Sequence, residues 1–212
     1  IKVLPPWCVS LLIAVCGALL GVMPLVGAGI LGAAACAIMG ILIPYARVLA
    51  AKKPQEYSAW SFLIGLGWIA LGILFLGITA LFVSTPSQVR VLTMMWLPII
   101  GAGGFAQLFV GALSYLMPVV IGGGPSVVRI GIAILDWQFA LRVALRNGAL
   151  FLQVVLFCAA ASTAVTTLRY ALWLVVITTF VIDIVMFARA GKNQARARRE
   201  RIKEMSESRQ VQ

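Results

Sequence analysis

The sequence predicts an all-α, polytopic integral membrane helix bundle with about six transmembrane helices and one interfacial helix. Hydrophobic residues make up 62% of the 212 residues and charged residues only 11%, and the mean hydropathy is +1.06. Soluble domains have about 45–50% apolar and about 25% charged residues. The chain also contains a series of apolar runs of about 18 residues or more, which are long enough to cross a bilayer as helices.

The spans follow from these apolar runs and from the residues that interrupt them. Gly27-Ala28-Gly29 predicts a tight turn after the first run, and polar loops at 49–58 and 84–90 separate the next ones. We assign residues 1–190 to a transmembrane domain and residues 191–212 to a basic cytoplasmic tail. The predicted spans are residues 7–26, 30–48, 59–83, 91–121, 149–167 and 170–188.

The stretch 126–146 is expected to lie in the membrane interface instead of crossing the bilayer. Trp137 suits the depth of the lipid headgroups. Asn147-Gly148 predicts the end of this helix, because both residues tolerate the left-handed conformation found at helix C-termini. The charged residues of the stretch, among which we expect a local ion-pair network, are Arg129, Asp136, Arg142 and Arg146.

The net charge of +11 indicates membrane topology rather than nucleic-acid binding. With the N-terminus inside, the outer loops hold only Arg90 and Arg169, as the positive-inside rule favours. We expect a multi-pass protein of the cell (plasma) membrane, with both termini cytoplasmic and no nucleic-acid partner. The basic tail, rich in helix-forming residues, is expected to contact anionic lipids of the bilayer or, alternatively, to dock another domain or subunit.

The chain has four cysteines and no histidine. The cysteines form no CxxC pair, and neither a bis-histidine haem site nor a histidine-ligated copper site can be built from these residues alone. We therefore expect no catalytic residue, no metal ligand and no cofactor bound by this chain alone. A haem or copper would be held by a partner.

Asp183 is the one carboxylate inside a predicted span. Ionisable groups at such depth are costly and often functional, so proton or ion handling is one interpretation. The other is structural pairing with a basic side chain near the inner interface. Asp183 lies six residues before Arg189, or about 9 Å by helix rise, which favours this second interpretation.

Gln107 and Tyr115 are weak candidates for cofactor binding. They are eight residues apart and fall on similar faces of a helix, so both are expected to form hydrogen bonds in the bundle interior. Contact with a cofactor or a quinone is the alternative. After this span, Gly122, Gly123, Gly124 and Pro125 predict a hinge or tight turn, because glycine and proline do not extend a helix easily.

Two blocks carry a resemblance, QLFVGALSYLMPVVIGGGPSVVR (residues 107–129) and AILDWQFALRVALRNGALFL (residues 133–152). They resemble the multi-helix membrane region of actinobacterial copper oxidases, including copper nitrite reductase-like proteins. Residues 52–76 resemble the same region more loosely. In that family a histidine-bearing segment lies upstream and cupredoxin domains follow, and the 212 residues contain neither. The resemblance implies a respiratory or copper-linked setting and assigns no site residue.

The sequence therefore favours a non-catalytic membrane-embedded subunit or domain of a copper-oxidase-like or respiratory electron-transfer assembly. Its expected partners are other membrane subunits or a redox domain. Two alternatives stay open. A small transporter or permease subunit is one, because Pro44, Pro98 and Pro118 interrupt spans, and interrupted helices can build binding sites. A membrane structural or assembly factor without a ligand is the other.

Overall fold

A computed structural model of the chain describes residues 3–53, 56–157 and 162–210. All regular secondary structure in these ranges is helical, as the sequence predicts. Five of the helices are long and apolar enough to cross a membrane, namely α2, α3, α4, α6 and α7 of the following list. The helices are Leu4–Leu19 (α1), Met23–Lys52 (α2), Tyr57–Phe82 (α3), Pro86–Ile121 (α4), Pro125–Leu135 (α5), Phe139–Phe157 (α6) and Thr163–Gln210 (α7).

The first turn lies at residues 20–22, and the predicted turn at Gly27-Ala28-Gly29 is wrong. Gly21 has φ +70°, a conformation that residues with a Cβ rarely adopt, and Pro24 lies in the first turn of α2,. The element predicted at 7–26 therefore lies closer to the N-terminus, as α1, and the one predicted at 30–48 is extended at both ends, as α2. Gly29 is instead a packing position, because a Cβ there would lie 2.6 Å from the carbonyl oxygen of Ser10 in α1.

Helices α2 and α4 each contain a wide π-helical segment near a proline. In α2 the segment Ile38–Leu42 precedes Pro44, and the Ile43 N–H bonds to the carbonyl of Ile38. In α4 the segment Gly101–Ala106 follows Pro98. Proline removes one N–H from the regular ladder, and wider turns are one way in which apolar helices keep their backbone groups bonded. Both helices therefore continue past their prolines.

The chain after Gly124 differs most from the prediction. The expected interfacial helix 126–146 is instead α5 and the first part of α6, separated at residues 136–138, where Gln138 has φ +46°. Asn147-Gly148 ends no helix. It lies inside α6, where Asn147 Nδ2 donates a hydrogen bond to the Val143 carbonyl (2.7 Å). The apolar helix of this region is thus Phe139–Phe157 and not the predicted 149–167, of which residues 158–161 lie outside the described part.

The predicted sixth span 170–188 and the described part of the tail, 191–210, lie in one helix of 48 residues, α7. It begins at Thr163, next to Ser162, whose Oγ accepts a hydrogen bond from the Val165 N–H (3.2 Å),. The predicted break between Thr167 and Tyr170 is absent, since both residues lie within α7. No proline follows Thr163, and the tail is rich in helix formers, so the helix continues to Gln210,.

The first of two compact units takes in the described residues of Ile1–Pro54 and Leu63–Leu108. Its helices approach closely at small residues. A Cβ at Gly27 would lie 2.7 Å from the Gly77 carbonyl oxygen, and one at Gly103 would lie 2.7 Å from the Trp68 indole. Close approach at glycine is typical of helices packed in membranes, where dispersion contacts replace the hydrophobic effect.

The second unit takes in the described residues of Gln55–Phe62 and Phe109–Gln212. Here α7 packs against both α5 and α6. Leu135, Met186 and Ala190 form an apolar cluster at the end of α5, with Ile134 and Phe187 against it. This cluster lies beside the only carboxylate buried within an apolar helix of the described chain, Asp183.

We expect Gly29→Ala to destabilise the first unit by about 1–3 kcal/mol, because the added methyl group meets the α1 backbone,. The matched control is Gly67→Ala, since a Cβ at Gly67 has no neighbour within 4 Å. The control should be neutral or slightly stabilising, as alanine favours helix over glycine. Unfolding in mixed detergent micelles measures both. Equal stability of the two variants would contradict this packing role.

Candidate functional site

The candidate site is a buried polar cluster in the second unit, centred on Asp183. Arg142 Nη1 bonds to Asp183 Oδ1, and Arg146 Nη2 bonds to Asp183 Oδ2. The Tyr57 hydroxyl donates a further hydrogen bond to Oδ2 (2.8 Å). All four side chains are buried. Both oxygens of the carboxylate therefore accept from a guanidinium, and one accepts from a phenol as well.

Regular helix spacing builds this geometry. Arg142 and Arg146 are four residues apart on α6, and Thr179 and Asp183 are four residues apart on α7, so each pair lies on one face of its helix,. The two faces meet, and Tyr57, the first residue of α3, completes the cluster. Three helices are thereby fixed in register at one point.

Every hydrogen-bonding nitrogen of Arg146 is used. Its Nε donates to Thr179 Oγ1 (3.1 Å), its Nη1 donates to the Tyr57 hydroxyl (3.2 Å), and its Nη2 bonds to Asp183. The guanidinium carbon also lies 3.9 Å from the centroid of the Phe180 ring, a cation–π contact that is stronger away from water. Arg146 thus bonds to α3 and α7 through each of its three nitrogens.

Arg142 is bonded less completely. Its Nη2 bonds to the Leu135 carbonyl at the end of α5, and its guanidinium lies 4.8 Å from the centroid of the Tyr57 ring. Its Nε is buried and has no hydrogen-bond partner in the described ranges. The bond to Leu135 satisfies one of the carbonyls that a helix end leaves free, so Arg142 ties α5 to the cluster.

Asp136 lies at the edge of the cluster, in the turn between α5 and α6. Its Oδ1 accepts a hydrogen bond from the Tyr57 backbone N–H (2.7 Å). Burial raises the pKa of this carboxyl, and the charge of Glu56 adds to the rise, whereas the Tyr57 hydrogen bond and the Arg142 charge act against it,. Asp136 therefore holds the start of α3 from the turn between α5 and α6.

A second polar contact joins α6 and α7 farther along. Gln153 Nε2 donates to the carbonyl of Arg169 (2.7 Å), and Arg169 Nε donates to Gln153 Oε1 (3.3 Å). Arg169, expected in an outer loop, therefore lies within α7 and is bonded to a buried glutamine. Helices α6 and α7 are therefore joined by two separate groups of polar contacts, one at Asp183 and one at Gln153.

The structure gives Asp183 the ion pairing that one of the two interpretations expected. Its partners are Arg142 and Arg146, for which the sequence predicts local pairing with Asp136 instead. They could reach Asp183 because the first part of α6, predicted to be interfacial, packs along α7. Proton or ion handling by Asp183 remains a prediction.

Gln107 and Tyr115 do not share an environment. Gln107 is fully buried, and neither its Oε1 nor its Nε2 has a partner among the described residues. Tyr115 is 56% exposed, so the prediction that it bonds in the bundle interior is wrong. Eight residues amount to about 80° around a helix, enough to turn one of two side chains out of the interior.

The predicted turn at Gly122, Gly123, Gly124 and Pro125 is present. Its three glycines have φ values of +69°, +101° and +91°, and α5 begins at Pro125. Side chains of α7 bond to carbonyls at this turn: Gln194 Nε2 to Gly122 (3.2 Å), Arg198 Nη1 to Ile121 (2.9 Å) and Arg201 Nη1 to Gly123 (2.9 Å). These bonds satisfy the free carbonyls at the end of α4.

Sequence reasoning missed Tyr57 and Gln194. Tyr57 follows a polar loop, where a tyrosine is ordinarily an interfacial anchor. Gln194 lies in a tail whose polarity indicated solvent or lipid headgroups, yet it is fully buried. The sequence carries no local signal for either role, since their partners are 126 and 76 residues away.

No group of three or more His, Cys, Asp or Glu side chains that could hold a metal ion occurs within the described residues. Comparison of the chain with protein-family models, with curated proteins and with solved structures finds no match. The interpretation of the site therefore depends on its own geometry.

We expect Asp183→Asn to destabilise the protein by about 3–5 kcal/mol, because two buried guanidinium groups would lose their counter-charge. The control is Glu200→Gln, which removes the exposed Arg196–Glu200 ion pair of α7 (3.0 Å) and should change stability by no more than about 0.5 kcal/mol. Unfolding in mixed micelles compares them. An Asp183→Asn variant as stable as the control would rule out the cluster as the tie between α6 and α7.

The raised pKa of Asp136 predicts a pH dependence. The folded state holds the proton more tightly than the unfolded state, so this group lowers stability as pH rises from the unfolded pKa, about 3.9, through the higher folded value. Asp136→Asn keeps an acceptor for the Tyr57 N–H and removes the titration. Relative to wild type, the variant should gain stability across that interval, as measured by unfolding at several pH values. Parallel profiles would show that Asp136 does not contribute.

Proposed function

We propose that the chain is an integral membrane domain with six spans, formed by α1 to α4, α6 and α7, and with α5 lying in the interface. The five long apolar helices support this, and the 16-residue α1 packs along α2. With both termini cytoplasmic, the inner side carries Lys52, Lys53 and the basic end of α7, in accordance with the positive-inside rule. The membrane would be the plasma membrane.

We infer further that this domain is a non-catalytic subunit or domain of a copper-oxidase-like or respiratory electron-transfer assembly. The observation that carries this proposal is that both oxygens of the Asp183 carboxylate are bonded, by Arg142, Arg146 and Tyr57. A carboxylate that carries protons or binds a substrate needs a free oxygen or a nearby relay. Here the charge is used to hold helices together.

The two blocks that resemble the copper-oxidase membrane region support the same proposal through the parts they contribute. Residues 107–129 supply the glycine turn and the carbonyls that receive Gln194, Arg198 and Arg201. Residues 133–152 supply Asp136, Arg142 and Arg146. The blocks thus form the frame of the second unit, which is what a membrane domain that carries a separate redox module requires.

In this proposal haem or copper belongs to a partner, which would bring a histidine-bearing membrane segment, a cupredoxin-type domain or both. The chain would hold that partner at a fixed depth and orientation. The alternative is a purely structural or assembly role, in which the same helix packing serves no redox partner. The experiment below distinguishes this role from the redox assembly.

The experiment is purification of the tagged chain from its native membranes in mild detergent. We expect a histidine-bearing membrane protein or a cupredoxin-type domain to co-purify, together with copper or haem absorption. Tyr57→Phe, which removes one hydrogen bond of the cluster, should reduce the yield of the complex in parallel with stability. The control Glu200→Gln should leave it unchanged. A stable chain that purifies without a metal-bearing partner would refute the redox setting and leave the structural role.

A further inference from the structure

A groove between α5 and α7 has the chemistry of a phospholipid site. Its volume is about 550 Å³, within the range of about 300–1,000 Å³ that is common for ligand sites. On α5, Ile130 and Ile134 are four residues apart and lie on one face. Met186 and Arg189 lie on the facing side of α7. The groove therefore has an apolar wall on both sides and a cation on one.

The polar groups of the groove lie together at one end. Arg189 and Asn193 are four residues apart on α7, and both are exposed. Neither forms a hydrogen bond or ion pair with any residue that the structure describes. Trp137, in the turn after α5, also lines the groove and is 54% exposed. A tryptophan beside a free arginine is typical of the headgroup layer.

Two neighbouring arginines of α7, unlike Arg189, form hydrogen bonds within the chain. Arg198 and Arg201 donate to the carbonyls of Ile121 and Gly123 and so cap the end of α4. Arg189 has no such carbonyl to bond and is left for an external anion. It is also the first basic residue of α7 after the apolar stretch 170–188, only six residues beyond Asp183.

We propose that this groove binds one anionic phospholipid from the leaflet at the basic end of α7. The Arg189 guanidinium and the Asn193 amide hold the phosphate, Trp137 packs against the glycerol region, and an acyl chain lies along Ile130, Ile134 and Met186. The inference rests on the proposed membrane insertion and is independent of any redox partner.

The test titrates the full-length protein in detergent with phosphatidylglycerol and with phosphatidylcholine of the same chain length, and counts bound lipids by native mass spectrometry. The wild type should bind phosphatidylglycerol about fivefold more tightly, as expected for one arginine near an anionic headgroup. Arg189→Gln should abolish this difference. The control Arg199→Gln, the same charge change at an exposed residue outside the groove, should preserve it.

Ala133→Trp provides a second variant without a charge change, because Ala133 is exposed and lines the groove. It should weaken the binding of both lipids. Equal effects of Arg189→Gln and Arg199→Gln would overturn the site in favour of diffuse charge. A dimer that Ala133→Trp disrupts, with unchanged lipid binding, would overturn it in favour of a second copy as the occupant.

Carbonate extraction of cell membranes separates failure of the site from failure of the membrane proposal. A chain that stays in the membrane pellet, yet binds both lipids equally, refutes the lipid site alone. Release of the chain by carbonate refutes membrane insertion and the lipid site with it. Lipid selectivity that persists when no redox protein co-purifies supports the site irrespective of the assembly.

Discussion

The burial of one carboxylate between two guanidinium groups is the constraint on which the second unit depends. Away from water an isolated charge costs several kcal/mol, so Asp183 is tolerated there only because Arg142, Arg146 and Tyr57 surround it,. The two buried arginines are likewise tolerated there only because Asp183 supplies their counter-charge. Helices α6 and α7 must therefore meet in one register, since sliding either by one turn would leave a charge without its partner. Sliding α3 would remove the Tyr57 hydrogen bond to the same carboxylate.

Buried ion pairs add little net stability compared with a well-packed apolar core, but loss of one partner is strongly destabilising. The cluster therefore restricts the second unit to arrangements that keep its partners together. Arg146 reaches Thr179 and Asp183 on α7 and Tyr57 on α3, while Gln153 and Arg169 fix α6 to α7 a second time. The helices of the first unit are held together differently, because glycines such as Gly29 and Gly103 let them approach closely,. Packing there depends on shape and not on charge.

The all-helical class and the main apolar helices could be predicted because bilayer thickness fixes the length of a spanning segment. Helix α3, expected at 59–83, is Tyr57–Phe82, since polar residues bound it on both sides. The errors arose where a local signal competed with tertiary contacts. Gly27 and Gly29 predicted a turn and are packing positions, and Asn147-Gly148 predicted a helix end inside a helix that the cluster holds. Asp183 could be identified from the sequence as a candidate because it lies deep within an apolar run. Its partners could not be identified, because they are 37 to 126 residues away.

From Asp183 to the C-terminal end of α7, the order of the polar residues along this helix corresponds to different structural roles. Asp183 comes first and fixes α6 and α3. Gln194, Arg198 and Arg201 follow and bond to the carbonyls of the turn between α4 and α5. Arg189 lies between these two groups and has neither role, because α5 turns its apolar face to that stretch and offers no acceptor. Arg189 differs from the other exposed basic residues of α7 because it lines an apolar groove. A single cation in that position selects for a headgroup charge without fixing the identity of the headgroup.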